Sequence, residues 1–110
     1  MSITWGEISF DGPFQINAWD PPNRAGIYAI MYKKDVNRDY YSLVYIGESG
    51  NLNDRGFYQS HHRYNCWISY AGSESNLYIG TYLMPNSTDQ QRREIEGGLI
   101  SRLNPACNSA

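Results

Sequence analysis

Hydrophobic positions come in short runs set between polar turns for most of the chain, and take a helical period only near its C-terminal end. Gly26–Tyr32 (GIYAIMY) reads as a strand and residues 33–39 (KKDVNRD) as a polar turn. Residues 40–47 (YYSLVYIG), rich in aromatic and β-branched side chains, read as a second strand, so the pair predicts an antiparallel hairpin. A Gly/Asn loop follows over 48–53, then a helix over about 53–69 whose start is weakened by Gly56. Residues 72–75 form a turn, and a third strand over 76–84 is ended by Pro85.

The last element is the clearest. Ser87 and Thr88 are N-cap candidates with Gln90 and Gln91 three residues on, the arrangement of a capping box, and Asn104-Pro105 stops the helix after Leu103. Ile95, Leu99, Ile100 and Leu103 form one apolar stripe. The order β, β, α, β, α predicts an α+β domain with helices packed on a small sheet. Ahead of it, residues 1–23 read as a strand-like arm broken by Asp11-Gly12-Pro13, with Trp5, Phe10, Phe14, Ile16 and Trp19 available to pack on the main body. Asp20-Pro21-Pro22-Asn23 bars regular pairing and helix, and separates that arm from a compact unit over 24–110 within a single domain.

One carboxylate breaks the helical pattern. At about 100° per residue, Leu99, Ile100 and Leu103 all fall within about 60° of Glu96, which therefore sits inside the apolar stripe. A buried carboxylate needs a cation, a metal or a proton. Arg92, one turn earlier, offers an i,i+4 pair at the edge of the core. The other reading is a metal ligand or general base facing a cleft. Gly97-Gly98 beside it costs helix stability, which suggests close approach of another backbone or of a ligand.

Charge and composition narrow the function. Of 110 residues, 41% are apolar and 18% charged, which suits a folded domain. Nine Lys and Arg oppose eleven Asp and Glu, a formal net charge of −2, which argues against strong non-specific nucleic-acid binding but leaves room for a local basic patch. No apolar run is long enough to span a membrane, and residues 1–15 carry no basic stretch of the kind that opens a signal peptide. Cys66 and Cys107 are too few for a disulfide scaffold and suit a reducing cytoplasm. With His62 they follow no recognised zinc spacing. Ten tyrosines supply weakly acidic hydroxyls as well as strand-forming rings.

Gly26-Ile27-Tyr28, then Tyr45-Ile46-Gly47, then Arg55 ten residues after Tyr45, then Glu96 on a late helix followed by Asn104-Pro105 and Asn108, resemble the GIY-YIG nuclease family in order and register over roughly residues 24 to 108. The resemblance implies a three-stranded antiparallel sheet flanked by helices, and hydrolysis of a nucleic-acid phosphodiester with a divalent metal. It implies that Tyr28 and Tyr45 point their hydroxyls into the site, that Arg55 contacts the scissile phosphate, that Glu96 holds Mg²⁺ or Mn²⁺, and that Asn108 supports the site. Many members place a histidine in the first helix, and His61 or His62 matches that place. The chemistry agrees: a hard cation takes oxygen ligands and keeps several waters, so one carboxylate suffices, and an Arg can give a phosphate two parallel hydrogen bonds. Tyr28 is assigned the water-activating role, with Tyr45 orienting water or phosphate.

Each of these residues also has a plainer use, as strand aromatic, solvated charge or surface histidine. Glu48 stands where repair-type members often carry Lys, and it would repel phosphate or add a metal oxygen. Lys33, Lys34, Arg38, Arg63 and Arg92, with Arg55 and Arg93, are candidates for a basic rim that binds substrate. Tyr40, Tyr41, Tyr58, Tyr64 and Trp67 are candidates for stacking on unpaired bases. The leading reading is a cytoplasmic endonuclease acting on DNA ahead of RNA, alone, with a protein partner or as a homodimer, since double-strand cutting by one such site takes two protomers or two nicks. The alternative is a catalytically weak GIY-YIG-like module that binds nucleic acid or protein.

Overall fold

A computed structural model describes residues 1–53 and 58–109. Among these, five strands form one antiparallel sheet in the order β1-β2-β5-β3-β4. They are β1 (Ser2–Trp5), β2 (Ile8–Gln15), β3 (Gly26–Tyr32), β4 (Ser42–Ser49) and β5 (Leu77–Leu83). Helix α1 (Tyr64–Ala71) and helix α2 (Asp89–Leu103) complete the fold, with short 3-10 turns at Ile16–Ala18 and Glu74–Asn76. The α+β class and the antiparallel sheet agree with the sequence, but the sheet has five strands where three were expected.

The two extra strands come from residues 1–23. Asp11-Gly12-Pro13 does not break β2; the register shifts between Asp11 and Phe14, so the irregularity is absorbed as a bulge while Phe14 and Gln15 pair with Ile79 and Tyr78 of β5. β1 and β2 are joined by Gly6 and Glu7, both with positive φ (57° and 71°), the conformation of a tight hairpin turn. That turn rests on α2. A Cβ at Gly6 would overlap the Leu99 side chain, and Arg102 reaches Glu7 at 3.4 Å.

β3 lies between β5 and β4, and all seven of its residues are buried. Its alternation feeds two cores. Tyr28, Ile30 and Tyr32 pack with Val44, Tyr45, Ile79 and Trp67 of α1 on one face. Ile27, Ala29 and Met31 pack with Phe10, Ile46 and Leu99 of α2 on the other. The chain is therefore helix, sheet, helix in section. In β4 the register shifts between Ile30 and Met31, which oppose Tyr45 and Leu43, so Val44 is an extra residue. β4 starts two residues later than expected, at Ser42, and runs two residues further, to Ser49, where it pairs with Gly26.

The first helix is shorter than the expected 53–69. It begins at Tyr64, and residues 58–63 form turns in which the His61 carbonyl accepts the Tyr64 N–H at 3.0 Å. The N-cap is Arg63, which makes no capping bond, and the helix closes on Gly72 in the left-handed region. α2 matches its expected extent. Thr88 accepts from the Gln91 N–H while the Gln91 side chain accepts from the Thr88 N–H, a complete capping box. Cys66 and Cys107 are joined in a disulfide with Cα atoms 5.9 Å apart, which corrects the reading of them as thiols suited to a reducing cytoplasm and leaves neither for zinc. Among the described residues, no helix is long and apolar enough to cross a membrane.

Candidate functional site

Tyr28 sits directly opposite Gly47 in the β3–β4 ladder, and its ring lies over that glycine. A Cβ at Gly47 would overlap Tyr28 Cζ and its hydroxyl, so the glycine of the second tripeptide is the space that the tyrosine of the first one fills. Tyr45 opposes Ile30, two pairs along on the same face, and the two tyrosine rings lie 6.0 Å apart.

His61 closes the cluster from the α1 side. Its Nε2 is 2.9 Å from the Tyr28 hydroxyl, and its Nδ1 accepts the Arg63 backbone N–H at 3.0 Å. A neutral imidazole that accepts at Nδ1 carries its proton on Nε2, so His61 donates to the Tyr28 oxygen. Burial, then the neighbouring charges of His62 and Arg63, hold the His61 pKa down to about 4, which keeps the ring neutral. The Tyr28 proton is then free for the hydrogen bond that links the two phenols. Burial pushes the Tyr28 hydroxyl well above the usual phenol range, reinforced by Tyr45 and Glu96. Burial and then the Glu96 charge also raise Tyr45. His62 stacks on His61, centroids 4.5 Å apart, and lies exposed on the outside of it.

Glu96 reaches this cluster across the free edge of β4. An edge strand leaves every second residue's backbone groups unpaired. Here the tail and α2 satisfy them in turn. The Val44 carbonyl accepts the Cys107 N–H at 2.8 Å. Asn108 accepts the Ile46 N–H and donates to the Ile46 carbonyl, both at 2.9 Å. The Glu48 N–H donates to the Glu96 carboxylate. Asn108 thus acts as one more strand residue against the second tripeptide. Glu96 is half-buried, and desolvation, then the Glu48 charge, raise its pKa, with Arg93 acting in the opposite direction. Among the described residues no cation forms an ion pair with it. A half-exposed hard carboxylate in surplus negative charge, facing two phenol oxygens, fits an oxygen-preferring divalent cation. Among the described residues there is no cluster of three or more His, Cys, Asp or Glu side chains, so Glu96 would hold such an ion with water completing its shell.

The Arg92–Glu96 pair, one of the two readings of that helix face, does not form. Arg92 is 3% exposed and donates from Nε to Glu48 at 2.9 Å, from Nη1 to the Ser87 carbonyl at 2.8 Å, and from Nη2 to Asp89. It belongs to the buried junction of α2 with β4, not to a basic rim. Lys33 pairs with Asp39 at 3.0 Å over the Tyr41 and Tyr78 rings, and Lys34 and Arg38 are exposed on the same turn, at the opposite end of the β3–β4 hairpin from Tyr28. Of the expected rim, Arg63 lies beside His61 and Tyr45, and Arg93 beside Glu96. Arg55 lies outside the described residues. Among the stacking candidates, Trp67 is fully buried, Tyr64 donates to Glu74 at 2.7 Å, and Tyr40 is 75% exposed. Gly97 and Gly98 are exposed with open space around them, so among the described residues no other backbone approaches there.

Three features escaped the sequence: the Arg92–Glu48 pair, the disulfide, and a polar cleft of about 630 Å³ beside Glu48's end of β4, walled by Asn23, Arg24, Asn51 and Ser87 with Arg92 behind. The first carried a faint signal, since an Arg within an apolar stripe needs a counter-ion as much as a Glu does.

The chain matches no protein-family model and no curated protein sequence. It is similar in structure to the GIY-YIG N-terminal endonuclease domain of UvrC from Thermotoga maritima, in two point-mutant forms bound to the catalytic divalent cation. Each comparison gives a TM-score of 0.54 at 17% identity, over 82% of this chain and 88% of the other. The chain carries a GIY-YIG-like fold.

Proposed function

We propose that this chain is a metal-dependent endonuclease that hydrolyses phosphodiester bonds in nucleic acid, DNA ahead of RNA. The observation that carries the reading is the meeting of Tyr28, Tyr45, His61 and Glu96, far apart in sequence, on a fold shared with an endonuclease domain. Glu96 would hold Mg²⁺ or Mn²⁺, which when bound neutralises phosphate charge and makes water a better proton donor. Tyr28, as phenolate stabilised by the His61 Nε2–H, takes the proton of the attacking water and becomes the neutral phenol. Burial opposes that phenolate in the resting protein, so the role calls for positive charge nearby, which Arg55 on the scissile phosphate helps to supply. Tyr45 orients water or phosphate. Asn108 fixes the strand that carries Tyr45 and Gly47. Arg63 and Arg93 bind the substrate backbone near the reacting phosphate. A cytoplasmic setting belongs to the same reading, as does the option of a second copy or a protein partner for cutting both strands.

The test incubates the purified protein with plasmid, branched and single-stranded DNA and with RNA, with and without Mn²⁺, beside Glu96→Ala and Tyr28→Phe. Cleavage that requires Mn²⁺ and falls by at least about 100-fold in both variants is expected. Full Mn²⁺-dependent cleavage by Tyr28→Phe would remove that residue from the water-activating role. Binding without cleavage of any substrate would favour a module that only binds, the reading to which Glu48 beside Glu96 lends weight.

A further inference from the structure

We propose that the Cys66–Cys107 disulfide is a positioning element of this site, so that the assembled tyrosine–histidine–glutamate cluster depends on the oxidation state of one bond. The proposal rests on the nuclease reading above for its consequence in activity, and on geometry alone for its structural part. Cys66 lies in α1 next to Trp67, a fully buried ring 4.5 Å from His61 and 5.5 Å from Tyr45. Cys107 lies in the tail after α2. Its own N–H donates to Val44, and its neighbour Asn108 closes on both backbone groups of Ile46. One covalent bond, spanning 41 residues, therefore joins the layer that holds His61 over the tyrosines to the segment that covers the free edge of the strand carrying Tyr45.

Neither segment is held by regular structure of its own; each depends on packing against the sheet. α1 has eight residues and no side-chain cap, below the length at which a helix persists on its own. The tail beyond Leu103 has no regular structure and is anchored by Pro105, Cys107 and the Asn108 amide. A cross-link over a long loop removes open conformations that such segments otherwise sample. Reduction is a thiol–disulfide exchange: a dithiol reductant gives up two electrons and two protons, becomes a disulfide itself, and leaves Cys66 and Cys107 as thiols. Disulfides in cytosolic proteins are mostly transient and redox-sensing, which suits a bond placed at a site and not remote from it.

Three readouts test this on the whole chain. Alkylation and mass measurement of protein purified without reductant should find no free thiol, and two after treatment with dithiothreitol. In ¹⁵N–¹H spectra the Asn108 side-chain amide signals should be distinct and slow to exchange in the oxidised protein, and should shift or broaden on reduction while most of the sheet signals stay. The Mn²⁺-dependent single-turnover rate should fall about tenfold or more on reduction, with KM changed by less than about threefold, and return on reoxidation. Cys66→Ser with Cys107→Ser should reproduce the reduced state. Two free thiols in the unreduced protein, or an unchanged Asn108 amide on reduction, would overturn the proposal. If neither redox form cleaves, the nuclease reading fails, and the amide signals decide the positioning claim by themselves.

Discussion

At the scale of single residues, the site depends on what each side chain denies to its neighbours. Gly47 is needed because the Tyr28 ring occupies the space its Cβ would take. Gly47→Ala should therefore cost about 1–3 kcal/mol of stability, read from urea denaturation, and should displace Tyr28. Both tripeptides were legible as words in the sequence, but the reason for the glycine was not, because it lies in the residue across the ladder. His61 gives a second prediction. Its pKa is 6.5 in an unfolded chain and about 4 in the folded one, so the unfolded state binds the extra proton. The stability it contributes is fully present above pH 6.5 and is lost as pH falls through the range down to about 4. Urea midpoints measured across that range should drop more steeply for the natural chain than for His61→Gln. Equal slopes would show that the imidazole is not held neutral. The sequence offered His61 and His62 equally; only the backbone turn that aims the Arg63 N–H at His61 Nδ1 separates them.

Among the elements, α2 was read almost to the residue because its signals are local: a capping box at one end, Asn104-Pro105 at the other. α1 reaches less far back than its pattern predicts because residues 58–63 form separate turns, closed by i,i+3 backbone bonds and by the His61 ring accepting the Arg63 N–H, and not a continuous helix. The double glycine of α2 suggests close approach of another backbone or of a ligand, and among the described residues a Cβ at Gly97 or Gly98 meets open space, which leaves the ligand. Gly97→Ala and Gly98→Ala should each stabilise the protein by roughly 0.5–1 kcal/mol, seen as a rise in melting temperature. A fall in melting temperature would mean that these positions are constrained by something the helix geometry does not reveal. If cleavage weakens while stability rises, the open face beside Glu96 is where substrate comes close.

Across the whole molecule, charges are settled by junctions between elements that are distant in sequence. Arg92 and Glu96 share a helix face at i,i+4 spacing, which made them natural partners. The fold instead gives Arg92 to Glu48 on β4 and to Asp89, and leaves Glu96 to the Glu48 N–H and the phenols. Arg92→Met should cost about 3 kcal/mol because it leaves the Glu48 carboxylate, 18% exposed, without its cation. Adding Glu48→Gln should recover part of that loss in a double-mutant cycle, and strict additivity would show that the pair is not coupled. The N-terminal strands teach the same lesson. Their alternating residues were visible, but their place on the outer edge of β5, and the seat of their turn on Leu99, follow from burying an edge and a helix face at once. By itself, then, the sequence determined what depends on near neighbours: strand and helix periods, caps, and the order of two tripeptides, an arginine, a glutamate and an asparagine. The tertiary structure alone decided which histidine meets Tyr28, which carboxylate Arg92 takes, and that Cys66 and Cys107 are bonded, because each of these is a contact between segments brought together by packing, and no spacing along a chain fixes the distance between two surfaces that fold against each other.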